Sequence, residues 1–181
     1  MLADEREIVE ARADPFTEGA VGSWYLLRTR SRHEKIVAND LAARGVLHYL
    51  PLTNCIRYYG DRKAKVEIPL FPGYVFLRGA AEDAYAVDRF GRIAQILLVP
   101  NQKRVNEELR NIWFALSKDA QVSLYPYLHK GVRVEVRSGP LRGLQGVIED
   151  WAKRNRLLLQ VEILGRGVSL EIEAALLDAI E

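Results

Sequence analysis

The side chains best able to do covalent or metal chemistry in this chain are three histidines and one cysteine. Their spacing supports neither. His33, His48 and His129 lie far apart, with no local pattern of the HxxxH kind that a metal site uses. Cys55 sits on a candidate hairpin arm without an adjacent base, which reads as a structural thiol rather than a nucleophile. A lone cysteine also excludes an internal disulfide and a thiolate metal cluster. No glycine-rich phosphate loop follows a strand, because Gly165-Arg166-Gly167 joins two strands and opens no helix. The expectation is a non-enzyme with no cofactor and no metal. Two non-covalent constellations remain. Arg30, Arg32, His33 and Lys35 cluster where a strand ends and a helix begins. There they oppose the helix dipole at some tenths of a kcal/mol each, which hints at a use other than stability. The second is Phe71-Pro72-Gly73-Tyr74, two rings at the ends of a Pro-Gly turn that presets one φ and frees the next. Taken alone, those rings are core aromatics as readily as surface ones.

The elements around these residues follow from periodicity. Ser23–Arg30 is aromatic, apolar and then basic, a first strand. Ser31 and Glu34 have capping-box spacing, and Ile36, Val37, Leu41 and Ala42 form a helical face that Gly45 ends. Val46–Leu50 is a strand closed by Pro51. Residues 55–59 and 64–68 read as a hairpin with Gly60-Asp61-Arg62-Lys63 at a basic, exposed tip. Val66, Ile68 and Leu70 alternate with polar residues and Pro69 before the Pro-Gly turn, and Tyr74–Leu77 runs into a core. A short helix over 82–90, a strand over 93–99 and a helix capped by Asn106 follow. That helix carries the stripe Val105, Leu109, Ile112, Trp113 and Leu116. Beyond it everything is β: Val132, Val134 and Val136 alternate with charges, and glycine turns separate short strands as in a small closed barrel.

The expected fold class is α+β, a mostly antiparallel sheet flanked by helices and followed by a small SH3-like β-barrel. The boundaries read as a mobile leader over 1–22, a first domain over 23–116, a linker over 117–129 and the barrel over 130–181. No apolar run approaches the roughly 20 residues of a membrane span. The amino terminus is acidic, the opposite of a signal peptide, so a cytoplasmic protein without membrane contact is expected. The net charge of +2 conceals an uneven distribution. Residues 1–23 carry six acidic and two basic side chains, and 24–79 carry ten basic and four acidic, while 80–129 and 130–181 are each neutral. A basic segment of this kind is a candidate nucleic-acid footprint or a plain solvated face.

Three separated motifs coincide in order: Trp24-Tyr25 opening the first strand, Leu70-Phe71-Pro72-Gly73-Tyr74-Val75, and Gly131-Val132-Arg133-Val134 … Ser138-Gly139-Pro140 … Gly143 … Gly146-Val147. Together they resemble the NusG family of transcription elongation factors, an amino-terminal NGN domain followed by a KOW domain, over roughly 23–178. The wording of Ser23–Leu27 and Pro69–Pro72 is similar to RfaH. That of Arg30–Lys35 and of the tail Leu164-Gly165-Arg166 is similar to UpxY-type antiterminators, which points to an operon-specialised paralogue.

The resemblance implies a monomer that contacts the clamp helices of the largest RNA polymerase subunit through an apolar patch. Phe71, Pro72, Gly73 and Tyr74 fall on that patch, with Trp24 and Tyr25 beneath or beside it. It further implies that Arg30, Arg32, His33 and Lys35, with Arg62 and Lys63 on the hairpin tip, face the non-template DNA strand. Leu164 and Arg166 match the region that meets a ribosomal protein or Rho. Two departures stand out. RfaH has a polar His-Thr-Thr segment where this chain has Ala84-Tyr85-Ala86-Val87, and Leu164 replaces a phenylalanine of the housekeeping factor. The alternatives are a housekeeping NusG-type factor and a ribosomal-type RNA-binding KOW protein. The second predicts a basic barrel, against which the neutral balance of 130–181 argues.

Overall fold

A computed structural model of the chain describes residues 14–17, 19–149, 152 and 155–180. It divides into two compact units, one formed by Met1–Leu50 and Phe71–Pro100, the other by Pro51–Leu70 and Asn101–Glu181. Most of the expected leader, residues 1–13 and 18, lies outside the described residues.

In the first unit the strand-forming run of large apolar residues becomes β1 (Ser23–Thr29). It is flanked by β5 (Tyr74–Gly79) and β6 (Ile93–Leu98), and β2 (Leu47–Tyr49) adds to β5. All pairs are antiparallel, in the order β2-β5-β1-β6. The register sets Trp24 opposite Arg78, Leu26 opposite Phe76 and Arg28 opposite Tyr74. Since side chains alternate along a strand, these six share one face, and Tyr49, opposite Phe76, joins them. Tyr25, Leu27, Val75 and Leu77 share the other. Helices α1 (Glu34–Ala43) and α2 (Ala81–Asp88) pack against β5 and each other.

Two local expectations change here. Ser31 and Glu34 form no capping box: α1 starts directly after His33, with no side-chain cap, and the Glu34 carboxylate takes the Gly73 amide instead. The buried face of α1 is Val37, Ala38 and Leu41, with Ile36 and Ala42 exposed, one step round from the expected stripe.

The second unit contains a two-stranded ribbon, β3 (Leu52–Tyr59) with β4 (Arg62–Pro69), paired without a break from Leu52↔Pro69 to Tyr59↔Arg62. Its tip is therefore only Gly60-Asp61, and Arg62 and Lys63 are strand residues. The long helix α3 (Gln102–Ser117) is capped by Asn101, not Asn106, through Asn101 Oδ1 accepting from the Arg104 amide at 3.0 Å. Val105, Leu109, Ile112 and Ala115 are buried along it, while Trp113 stands at the margin of the stripe, 36% exposed.

The carboxy-terminal strands are β7 (Val122–Tyr125), β8 (Val132–Val136), β9 (Gln145–Ile148), β10 (Arg156–Val161), β11 (Arg166–Glu171) and β12 (Leu177–Ala179). They form one antiparallel sheet in the order β12-β8-β9-β10-β11-β7. Its core is Val134, Val136, Leu144, Ile148, Leu157, Leu159, Val161 and Val168. Gly167 lies so close to the neighbouring strand that a Cβ there would meet the Leu159 carbonyl oxygen at 2.2 Å. The stretch read as a linker thus contains a strand, β7, paired with β11 from Val122↔Leu170 to Tyr125↔Gly167. Pairing supplied by a distant partner overrides a weak local pattern.

Candidate functional site

The Pro-Gly turn is where the apolar candidates meet. Gly73 takes φ +87°, which glycine alone adopts without a steric cost. Its carbonyl accepts from the Thr29 amide at 2.8 Å, and its own amide donates to Glu34 Oε1 at 2.7 Å. The Tyr74 amide donates to the Phe71 carbonyl at 3.3 Å. The turn is thus tied to the end of β1 and to the first residue of α1, and Glu34, itself buried, serves this long-range tie instead of a helix cap.

This embedding corrects two expectations. Phe71 is 1% exposed and Trp24 2%, so neither ring is presented to solvent. A turn bonded down onto β1 and α1 turns its first ring inward. Tyr25 is half-buried on the sheet face opposite Tyr74, so it does not lie beside the accessible ring, while the buried Trp24 shares the face of Tyr74. Tyr74 is half-exposed, Pro72 is exposed, and Arg28, in register with Tyr74, and Gln95, in register with Arg28, are exposed too. Of the apolar set, Tyr74 with Pro72 and Gly73 forms the accessible end. Arg28 belongs with them, a neighbour that the alternation of β1 could have revealed.

The basic constellation lies beside the same turn. Arg30, Arg32 and Lys35 are exposed, and His33 is half-buried with Nδ1 2.8 Å from the Ser31 carbonyl oxygen. The left-handed φ of Arg32, which costs an L-residue about 1 kcal/mol, is kept in the middle of this cluster. The Arg30 amide donates to the Arg92 carbonyl at 2.8 Å, while the Arg92 guanidinium pairs with Asp40. Arg62 and Lys63 belong to the other compact unit, both exposed on β4. Their neighbours Tyr58 and Tyr59 are 72% and 59% exposed, which makes the ribbon aromatic as well as basic.

Leu164 ends a 3-10 turn over Glu162–Leu164, Gly165 takes φ +63°, and Arg166 opens β11. Both side chains are half-buried, and Arg166 Nε is a buried donor without an acceptor among the described residues.

A separate polar cavity of about 550 Å³ lies between α3 and strands β9 and β10, lined by Arg104, Glu107, Asn111, Arg133, Gln145 and Gln160 among others. None of the sequence-derived candidates lines it. On its rim Glu108 accepts from Arg104 Nε at 3.0 Å and from the Glu162 amide at 3.1 Å. Burial raises its carboxyl above the usual range, with those two bonds and the nearby guanidinium pulling the other way. Among the described residues there is no helix long and apolar enough to cross a membrane and no group of His, Cys, Asp or Glu suited to a metal.

The family model described as transcription termination factor nusG matches residues 22–114. The transcription termination/antitermination protein NusG of Rickettsia typhi is 26% identical over 174 residues, spanning 87% of this chain and 90% of that protein. The NusG of Rickettsia prowazekii matches with the same identity and coverage. Among solved structures, Thermotoga maritima NusG is 25% identical and aligns over 88% of this chain and 97% of its own, with a TM-score of 0.41. With the family model spanning half of the sequence, from just before β1 into α3, the chain belongs to the NusG family.

Proposed function

We propose that this protein is a transcription elongation and antitermination factor that rides on RNA polymerase and suppresses pausing or termination, as an operon-specialised paralogue within its family. The observation that carries the reading is Tyr74. It is a half-exposed ring on a turn held by the Thr29, Glu34 and Phe71 bonds, with Pro72 and Arg28 open beside it. A ring mounted rigidly offers apolar contact area at little cost in conformational entropy. The contact is with the clamp helices of the largest polymerase subunit. Phe71 supports that surface from the core and does not touch the partner directly.

Arg30, Arg32 and Lys35 then pair phosphates of the non-template strand, with Arg62 and Lys63 as a second basic contact. Leu164 and Arg166 receive a ribosomal protein or Rho, an acceptor from the partner satisfying Arg166 Nε. The specialised reading is supported by the wording of 23–27, 30–35 and 69–72, and transcript profiling of a deletion strain separates it from the general factor. Loss of the distal genes of one operon marks the specialist, and a genome-wide change overturns that assignment.

Tyr74→Ala in the full chain tests the contact, because the substitution leaves the core intact. Binding to core RNA polymerase should weaken by about tenfold, the cost of truncating an aromatic anchor. Unchanged affinity in the folded variant would defeat it.

A further inference from the structure

Trp24 is buried on the same sheet face as Tyr74, at its other end, and what lies on it is the chain's own leader. Phe16 is 8% exposed, with its ring centroid 5.7 Å from that of Trp24 and 5.3 Å, edge-on at 78°, from that of Tyr49. The Arg78 guanidinium sits 5.7 Å over the Trp24 ring and donates through a terminal nitrogen to the Pro15 carbonyl at 2.5 Å. Trp24, Tyr49 and Arg78 therefore make a slot for one aromatic ring and one adjoining backbone carbonyl.

The segment that fills this slot is folded on itself. The Phe16 amide donates to Asp14 Oδ1 at 2.8 Å, the Thr17 hydroxyl and amide donate to the Asp14 carbonyl, and the Ala20 amide donates to the Thr17 carbonyl. Gly19 and Gly22, at φ +96° and +110°, stand between it and β1, and Gly22 lies so close to β5 that a Cβ there would meet the Gly79 Cα at 2.5 Å. The slot is also incompletely satisfied. Arg78 Nε is buried and has no acceptor among the described residues. A buried donor left unpaired is costly, and a ligand that supplies one more carbonyl removes the cost.

We propose that Trp24, Tyr49 and Arg78 form a docking slot for an apolar side chain and adjoining backbone carbonyls of RNA polymerase, and that residues 14–17 occupy it in cis until polymerase displaces them. This rests on the polymerase-binding reading above and extends it along the sheet face from Tyr74 to Trp24. The occupant follows from chemistry: Phe16 shows that the slot takes a ring, Pro15 that it takes a carbonyl, and Arg78 Nε that one donor is left for a second acceptor. The slot lies on the same sheet face as Tyr74, with the buried pair Leu26 and Phe76 between them. Tyr49 is half-buried in the slot, and desolvation there holds its phenol well above its ordinary value.

Full-length Phe16→Ala and Asp14→Ala chains, titrated with core RNA polymerase, test the proposal. Phe16→Ala removes the ring that fills the slot, whereas Asp14→Ala loosens the segment and leaves the sheet untouched. Phe16→Ala should bind about tenfold tighter, the gain from removing a competing closed state, and Asp14→Ala should show a smaller gain. In the wild type, amide exchange of the peptide over 14–22 should accelerate when polymerase is added. A wild-type chain that does not bind core polymerase overturns both readings. A wild-type chain that binds, with folded Phe16→Ala or, if that chain does not fold, Asp14→Ala binding equally or more weakly, overturns the slot alone.

Discussion

Replacing Glu34 by alanine removes one side chain from the first turn of α1 and should be felt 39 residues away, at the Pro-Gly turn. Glu34 is buried, and its only described acceptor role is to take the Gly73 amide at 2.7 Å. A hydrogen bond to a charged acceptor contributes about 1.5–3 kcal/mol. Without it the turn keeps the Thr29–Gly73 bond at 2.8 Å and the long Phe71–Tyr74 bond at 3.3 Å. A loss of about 2 kcal/mol lowers the unfolding midpoint of a chain this size by roughly 4–8 °C. The local consequence is sharper. If the turn opens about 2 kcal/mol more easily, exchange of the Gly73 amide accelerates roughly thirtyfold. Glu34→Gln keeps the length and an acceptor oxygen, and because charge-assisted bonds are about twice as strong as neutral ones, it should lose about half as much. The assay is amide exchange by NMR at Gly73 and Tyr74, with a thermal scan of each variant. A folded Glu34→Ala chain whose Gly73 amide exchanges at the wild-type rate would refute the idea that this carboxylate mounts the turn.

Gly167→Ala should destabilise the carboxy-terminal sheet by about 3 kcal/mol or more, since its Cβ would meet the Leu159 oxygen at 2.2 Å; chemical denaturation reads this, and a change below 1 kcal/mol, about the least that overpacking costs, contradicts the packing. Glu108 has its carboxyl raised above 4.5 in the folded chain by burial. The folded state therefore favours its protonated form, and that stabilisation is complete below the unfolded value and is lost as pH rises through the folded value. Glu108→Gln should flatten this part of the pH dependence of the unfolding midpoint, and a profile parallel to wild type would reject it. Neutralising Arg30, Arg32 and Lys35 together should lower the slope of log affinity for single-stranded DNA against log salt by about 0.7 for each phosphate left unpaired. An unchanged slope removes the cluster from the nucleic-acid interface.

Much of this protein is legible in the residues alone because the signals are local. Period-2 alternation marks β4 and β8, an aromatic and apolar run marks β1, glycines mark the turns, and the three spaced motifs carry the family. The neutral charge of the final 52 residues, 130–181, by itself argues against a basic, RNA-reading barrel. The features that stay hidden depend on partners far away in sequence. Phe71 reads as a turn aromatic free to face either way, and only the bonds from Thr29 and to Glu34 turn it inward. Glu34 has the spacing of a capping box, but the Gly73 amide is the partner it takes. Val122–Tyr125 looks like linker until β11 pairs with it. Phe16 in a polar leader carries no periodic signal, yet it finds Trp24 and Tyr49. Local sequence sets dihedral preferences and polarity, and so determined the elements and the family. Burial and pairing are properties of a surface assembled from distant segments, and so only the tertiary structure decided that the Pro-Gly turn presents Tyr74 and keeps Phe71.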